Sequence, residues 1–258
     1  MLLAIDSGNT NVVGAVYAGD HLRGSWRAAT NPNRTADEYA VWLLQLMALA
    51  GIAPSDIDAT IIGSVVPEAT FNLTRLCQRY FASEPLIVGH PDCFLGIGVD
   101  LEMPQEEVGA DRVANAVAAQ DRYRPPLIVL DFGTATTFDV VDHVGNYCGG
   151  VIAPGINLSL RALDLAAARL PRIGIQRPPT VVGRSTIPAM QSGVFWGYVG
   201  LVEGIVHRIR AERGETMEVI ATGGLAPLIA GATEVIKQVD PDLTLWGLRL
   251  IYRRNRNQ

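Results

Sequence analysis

The sequence predicts an α/β fold built from two similar halves. Three observations carry this reading. First, an apolar strand running into Asp-x-Gly occurs twice, at Leu2–Gly8 and Leu127–Gly133, with the aspartates 125 residues apart (131 − 6 = 125). Each copy continues into a polar turn, a β-branched strand and a Gly-containing turn, the pattern of an internal duplication. Second, short β-branched runs alternate with segments of helical periodicity along the chain. Third, 48% apolar and 18% charged residues suit a packed core and exclude a disordered chain.

At 258 residues the chain has room for two moderate domains, and a boundary is expected near residue 118, giving domains 1–118 and 119–258. In the first half, Leu2–Ile5 reads as a strand, Asp6–Asn11 as a polar turn, and Val12–Tyr17 and Leu22–Ala28 as further strands. Tyr39, Leu43, Leu46 and Met47 share one face of a helix over 36–49, which Gly51 ends. Thr60–Val66 is a strand that Pro67 stops, Leu86–Val88 another, and Asp111–Gln120 a helix with Gly109 just before it. The second half restarts after Pro125-Pro126 with strands at Leu127–Leu130 and Thr136–Val141. Helices follow at Asn157–Ala168 and Pro188–Arg210, then a strand at Glu218–Ala221 leading to Thr222-Gly223-Gly224.

Composition narrows the chemistry. A net charge of −5 favours neither nucleic acid nor an anionic membrane surface as partner. The basic end, Arg253-Arg254-Asn255-Arg256, reads as a solvated terminus. Met1–Ile5 enters Asp6 without a basic leader, so it reads as a strand rather than a signal peptide. No apolar run approaches the roughly 18 residues of a membrane span, and a soluble, cytoplasmic protein is expected. Cys77, Cys93 and Cys148 form no Cys-x-x-Cys pair, so neither a disulfide framework nor a zinc site is expected. His21, His90, His143 and His207 form no metal constellation. Lys237 is the only lysine, and Glu234–Gln238 matches neither a P-loop nor a protein-kinase strand lysine. Any phosphate must therefore be held by backbone N–H groups, hydroxyls, arginines, helix N-termini or metal ions.

The two Asp-x-Gly turns offer such donors. Glycine lets the backbone approach a phosphate closely, and successive N–H groups with Asn9, Thr10 or Thr134 supply hydrogen bonds. An aspartate cannot bind an anion itself, so Asp6 and Asp131 suit a cation or water beside one. One Asp-x-Gly is also an ordinary hairpin turn; two copies plus Thr222-Gly223-Gly224 form a more specific set. Together they resemble the actin-like (ribonuclease H-like) ATPase superfamily. That resemblance implies two duplicated actin-like domains with ATP in an interdomain cleft.

A narrower resemblance rests on motifs in fixed order. These are Asp6-Ser7-Gly8-Asn9-Thr10-Asn11, Ser64-Val65-Val66-Pro67, Gly109-Ala110-Asp111-Arg112 and Asp131-Phe132-Gly133-Thr134-Ala135-Thr136. Gly149–Gly155, Thr222–Ala226 and Leu243-Thr244-Leu245-Trp246-Gly247-Leu248 follow. The set resembles the type III pantothenate kinases across essentially the whole chain. It implies ATP-dependent phosphorylation of pantothenate to 4′-phosphopantothenate, the first step of coenzyme A biosynthesis, with Mg²⁺ and a monovalent cation, K⁺ or NH₄⁺.

The resemblance also assigns roles. Asp111 is the base that takes the substrate hydroxyl proton; an aspartate at a helix start equally suits an N-cap. Gly109, Ala110, Asp111 and Arg112 bind pantothenate, and a guanidinium fork at Arg112 suits a carboxylate or phosphate. Asp6, Ser7, Gly8, Asn9, Thr10, Asn11, Val12, Val13, Thr134, Gly223 and Gly224 contact ATP, and Asp131 holds the cation. Thr186 is the substrate threonine supplied across a homodimer; a threonine before Pro188 also suits a helix cap. Leu101–Val108 carries one residue more than the family pattern. Gly193, Gly197, Gly200 and Gly204, spaced by three and four on a helix, suggest close packing at a subunit or domain contact. Two other readings stay open, a kinase for another small molecule and a non-catalytic nucleotide-binding regulator on the same fold.

Overall fold

The computed structural model describes residues 1–166 and 171–256. The chain divides into two compact units, Met1–Arg122 with Asp242–Gln258, and Tyr123–Pro241. In the first, strands β1 (Leu2–Ser7), β2 (Asn11–Ala18), β3 (His21–Ala29), β4 (Ala59–Ser64) and β5 (Leu86–Ile87) form one sheet in the order β3-β2-β1-β4-β5. β1 runs antiparallel to β2 and parallel to β4. Both central strands are almost wholly buried, which is why they read as unbroken apolar runs.

Helix α1 (Ala36–Leu49) starts at a capping box: the Glu38 N–H donates to Thr35 Oγ1, and the Thr35 N–H donates to Glu38 Oε2. Helix α2 (Pro67–Phe81) begins with Pro67 at a first-turn position that needs no N–H. The proline thus stops β4 and opens a helix that the sequence reading did not anticipate. Leu3, Ile5 and Ile62 from the sheet pack with Tyr39, Leu43 and Met47 of α1 and Leu73 and Leu76 of α2 in one buried cluster. Helix α3 (Ala110–Arg122) spans the expected helix at 111–120 and adds a residue or two at each end.

The second unit repeats the plan. Its strands are β6 (Leu127–Phe132), β7 (Ala135–Val141), β8 (Tyr147–Pro154), β9 (Glu218–Thr222) and β10 (Gln238–Val239), in the order β10-β9-β6-β7-β8. β6 is antiparallel to β7 and parallel to β9, as β1 is to β2 and β4. Helices α4 (Ile156–Ala166), α5 (Thr186–Arg213) and α6 (Ala226–Ala230) complete it. The end of the expected helix 157–168 lies outside the described residues. One face of α5, with Phe195, Val199, Val202 and Val206, packs with Ile128, Leu130 and Phe138 of the sheet. The glycines at 193, 197 and 200 lie on α5 with open space where a side chain would be. Among the described residues they therefore make no close helix packing.

The last helix, α7 (Leu243–Arg256), departs from the expected division at 118. It belongs to the first unit, not to the second half of the chain. Thr244 Oγ1 donates to Asn115 Oδ1 of α3 at 2.7 Å, and the Arg249 Nε–H donates to the Gly19 carbonyl at 2.8 Å. The basic end is not simply solvated either: Arg254 Nη1 donates to Leu95 O at 3.0 Å and Asn255 Nδ2 to Phe94 O at 2.8 Å. Gly247 permits the approach, since a Cβ there would run into the Ala114 carbonyl of α3. We expect Gly247→Ala to destabilise the protein by about 2 kcal/mol, despite alanine's better helix propensity. Urea denaturation measures this; an unchanged midpoint would show that α7 yields without cost.

Candidate active site

The first unit brings three of the motifs together at one end of its sheet. β1 delivers Asp6 and Ser7, and the loop Gly8-Asn9-Thr10 leads into β2. The Gly8 N–H donates to Asn11 O at 2.9 Å and closes the turn. The Val65 N–H donates to Ser7 O at 3.0 Å, so the end of β4 is tied to the end of β1. Ser64 Oγ donates to Val66 O at 3.1 Å and shapes the bend before α2. A Cβ on Gly109 would lie 3.6 Å from Val65 Cγ1, which sets the start of α3 against that bend.

Side chains at this end divide by face. Asn9 and Thr10 are exposed, while Ser7 is fully buried and its Oγ has no hydrogen-bond partner. Ser7 follows Leu3 and Ile5 in strand alternation, onto the face that packs α1 and α2. Its side chain therefore does not point at a ligand on the other face. Asp6 is half-buried and shares a register row with Val13 and Gly63. A Cβ on Gly63 would lie 3.7 Å from Ala110 Cβ, so Asp6 belongs to the face that carries α3.

Asp111 is half-buried in the first turn of α3. Its Oδ1 accepts the Arg112 N–H at 2.8 Å. Gly109, one residue before the helix, supplies the carbonyl that accepts the N–H groups of Arg112 and Val113 at 3.0 and 3.2 Å. Asp111 is thus inside the helix rather than its N-cap. Burial raises its carboxyl above the ordinary aspartate value, outweighing the Arg112 N–H and the Arg112 charge, which pull it down. Gly109 also makes room for this carboxylate, since a Cβ there would lie 2.8 Å from Oδ1.

In the second unit, the half-buried Asp131 is the next-to-last residue of β6, and the two-residue loop Gly133-Thr134 follows Phe132. The Gly133 N–H donates to Ala135 O at 3.0 Å, and the Gly155 N–H to Thr134 O at 3.1 Å. β9 pairs beside β6 and ends at Thr222, opposite Asp131. Gly223 follows with φ +91°, a conformation that favours glycine. A Cβ on Gly223 would meet Phe132 O at 2.7 Å and Asp131 Oδ1 at 2.8 Å, and Gly224 faces open space. Asp131, Phe132, Gly223 and Gly224 therefore converge at one sheet end. Thr186 is exposed at the first residue of α5, and Ser185 occupies the N-cap position without a side-chain cap bond.

These residues fit the groups expected of them in part. Asp131 Oδ1 and Phe132 O both lie close to where a side chain on Gly223 would stand, and oxygen is the donor type a hard monovalent cation takes. Among the described residues no three His, Cys, Asp or Glu side chains group to hold a metal. The loop before α3 forms a short 3-10 turn, Gln105–Glu107. Thr30, which sequence reasoning missed, donates from Oγ1 to Gly8 O at 2.6 Å. No motif marks it, because the turn it serves lies about twenty residues earlier.

Ionising Asp111 opposes folding, because its carboxyl binds a proton more tightly in the folded chain than in the unfolded one. Stability from this group is therefore lost as pH rises from the ordinary aspartate value through the raised one. Asp111→Asn keeps the acceptor for the Arg112 N–H and removes the charge. We expect it to be at least as stable as the parent at pH 7, with the difference shrinking as pH falls toward 4. Urea midpoints across that range decide the matter; a variant clearly less stable at pH 7 would contradict the assignment of burial as the main cause.

Comparisons with known proteins agree with the motif order. A sequence model of the family described as type III pantothenate kinase matches residues 2–208. A type III pantothenate kinase of Rhodospirillum rubrum is 68% identical over 255 residues, covering 99% of both chains. Among solved structures, a conserved protein of Campylobacter jejuni assigned to the Baf family of transcriptional activators superposes with a TM-score of 0.64 at 18% identity, covering 99% of this chain and 100% of that one. The activator of the 2-hydroxyisocaproyl-CoA dehydratase from Clostridium difficile, with bound ADPNP, gives 0.57 at 10% identity over 99% and 96% of the two chains. At such identities these two speak for the fold alone, an α/β fold with two mixed sheets. No helix among the described residues is long and apolar enough to cross a membrane. The match over residues 2–208 and the identity across nearly the whole chain place this protein in the type III pantothenate kinase family.

Proposed function

We propose that this chain carries out its family's reaction, ATP-dependent phosphorylation of pantothenate, with Asp111 as the base. The carrying observation is the buried, pKa-raised carboxylate of Asp111 at the start of α3, beside the bend tied to the Asp6–Asn11 turn. Transfer to an alcohol asks for positioning, charge neutralisation and a proton acceptor. A carboxylate with a raised pKa is a stronger proton acceptor in its ionised form. Arg112 follows Asp111 and can pair with the pantothenate carboxylate or the moving phosphoryl group. Gly109 and Ala110 line the same helix start.

ATP phosphates find donors at the exposed Asn9 and Thr10 and at Thr134, and the open space at Gly224, after the tight turn at Gly223, suits a nucleoside. The bound ADPNP of the C. difficile activator is consistent with nucleotide binding on this fold. Asp131 with Phe132 O suits K⁺ or NH₄⁺, which adds positive charge beside phosphates in a chain with one lysine; Mg²⁺ would travel with ATP. The matching strand order and directions of the two units support an internal duplication. A homodimer is consistent with the exposed Val181, Val182 and Ile187 flanking Thr186, and with the uncovered glycines of α5. Thr186 would then act on the partner's substrate.

Pantothenate-dependent ADP release in K⁺ buffer tests the reading. We expect it in the parent protein and a loss of at least about a hundredfold in Asp111→Ala, with the circular dichroism spectrum retained. Absence of pantothenate-dependent release would remove the reading. Exchanging K⁺ for Na⁺ is expected to lower turnover; unchanged turnover would take the cation out of the mechanism, and retained dependence in Asp131→Asn would take Asp131 out of the cation site.

A further inference from the structure

The turn after β1 is one residue longer than its counterpart after β6, and the difference assigns a task to Thr30. We propose that Thr30 is a positioning residue that orients the peptide units of the Asp6–Asn11 turn so that their N–H groups serve the ATP phosphates. This rests on the reading of that turn as a phosphate site.

Thr30 directly follows β3 and holds two carbonyls of the turn at once. Its N–H donates to Thr10 O at 2.9 Å, and its Oγ1 donates to Gly8 O at 2.6 Å. Within a trans peptide the C=O and N–H point in opposite directions. Anchoring Gly8 O therefore aims the Asn9 N–H away from Thr30, and anchoring Thr10 O does the same for the Asn11 N–H. A carbonyl released from Thr30 would be free to rotate toward an incoming anion and repel it. The Gly8 N–H cannot compensate, because it is already bonded to Asn11 O.

The second unit shows what happens without the extra residue. Asn11 pairs with Ala29, and Ala135 pairs with Pro154, so Gly155 stands where Thr30 stands. The Gly155 N–H donates to Thr134 O as the Thr30 N–H does to Thr10 O. The shorter loop Gly133-Thr134 has no additional peptide to hold. It also leaves no room for a side chain: a Cβ on residue 155 would run into Thr134 O and lie 2.7 Å from Gly133 O. The longer loop Gly8-Asn9-Thr10 has both the extra carbonyl and the space, and there the chain supplies a hydroxyl.

Calorimetric titration with the non-hydrolysable ATP analogue ADPNP, and separately with adenosine, tests this. Thr30→Ala is expected to bind ADPNP about tenfold more weakly, with adenosine affinity unchanged. Thr30→Ser is expected to restore ADPNP binding, and Thr30→Val serves as a second hydroxyl-free variant should the alanine form fold poorly. Undiminished ADPNP affinity in the hydroxyl-free variants overturns the proposal, as does an equal loss for adenosine, which would mark Thr30 as merely structural. Gly8→Ala separates the two readings, since a Cβ there meets nothing nearer than Asn11 O at 3.5 Å. If Gly8→Ala weakens ADPNP and Thr30→Ala does not, Thr30 alone is dismissed. If neither does, the turn is not a phosphate site and the proposal falls with it.

Discussion

The structure depends on two strands whose backbones are fully committed. β1 lies between β2 and β4, and β6 lies between β7 and β9, so both edges of each are hydrogen-bonded along their length. Buried backbone groups must be paired, and here the sheet pairs them. Backbone N–H groups of these strands can therefore be spared for a ligand only where the strands end, in the loops Gly8-Asn9-Thr10 and Gly133-Thr134. A chain with one lysine that handles phosphate must present backbone and hydroxyl donors, and this arrangement presents them at a rigid sheet end. A site on such a support holds its geometry better than one on a free loop.

The same constraint places the acid groups. Asp6 and Asp131 are the next-to-last residues of their strands, where a half-buried side chain emerges from the core without leaving the sheet. Asp111 comes from elsewhere, on a helix pressed against β4 and held from behind by α7 through Thr244 and the side-chain-free Gly247. Its burial raises its pKa, and that burial is a consequence of helix packing rather than of its neighbours in sequence. The two units thus share a strand order but differ in what they carry at its end: one sets an aspartate on a packed helix, and the other an aspartate beside the Gly223 turn.

Much of the frame was legible in the residues. α1 runs over the predicted 36–49 because its apolar spacing and capping residues agree with each other. The paired Asp-x-Gly turns were visible because a buried strand is an unbroken apolar run and glycine punctuates its end. α2 was missed, although Ala69, Leu73, Leu76 and Cys77 give it a buried stripe, because Pro67 reads as a stop before it reads as a helix start. β8 was missed as well, its glycines masking a strand whose pairing comes from β7. α7 was placed with the wrong half because chain order carries no information about which sheet a terminal helix returns to.

By itself the sequence determined which residue types stand at the strand ends, that phosphate would have to be bound without a lysine, and the motif order that gives the family. These are local properties, set by residue chemistry and by spacing along the chain. Only the tertiary structure decided that α7 closes over the first unit, that Ser7 faces the core while Asp6 faces α3, and that Thr30 holds the carbonyls of a turn twenty residues away. Each of these depends on strand register and on contacts distant in sequence, and register is settled by which faces are buried together. The hydroxyl of Thr30 has no signal of its own; it gains a role only when β3 lays it against Gly8.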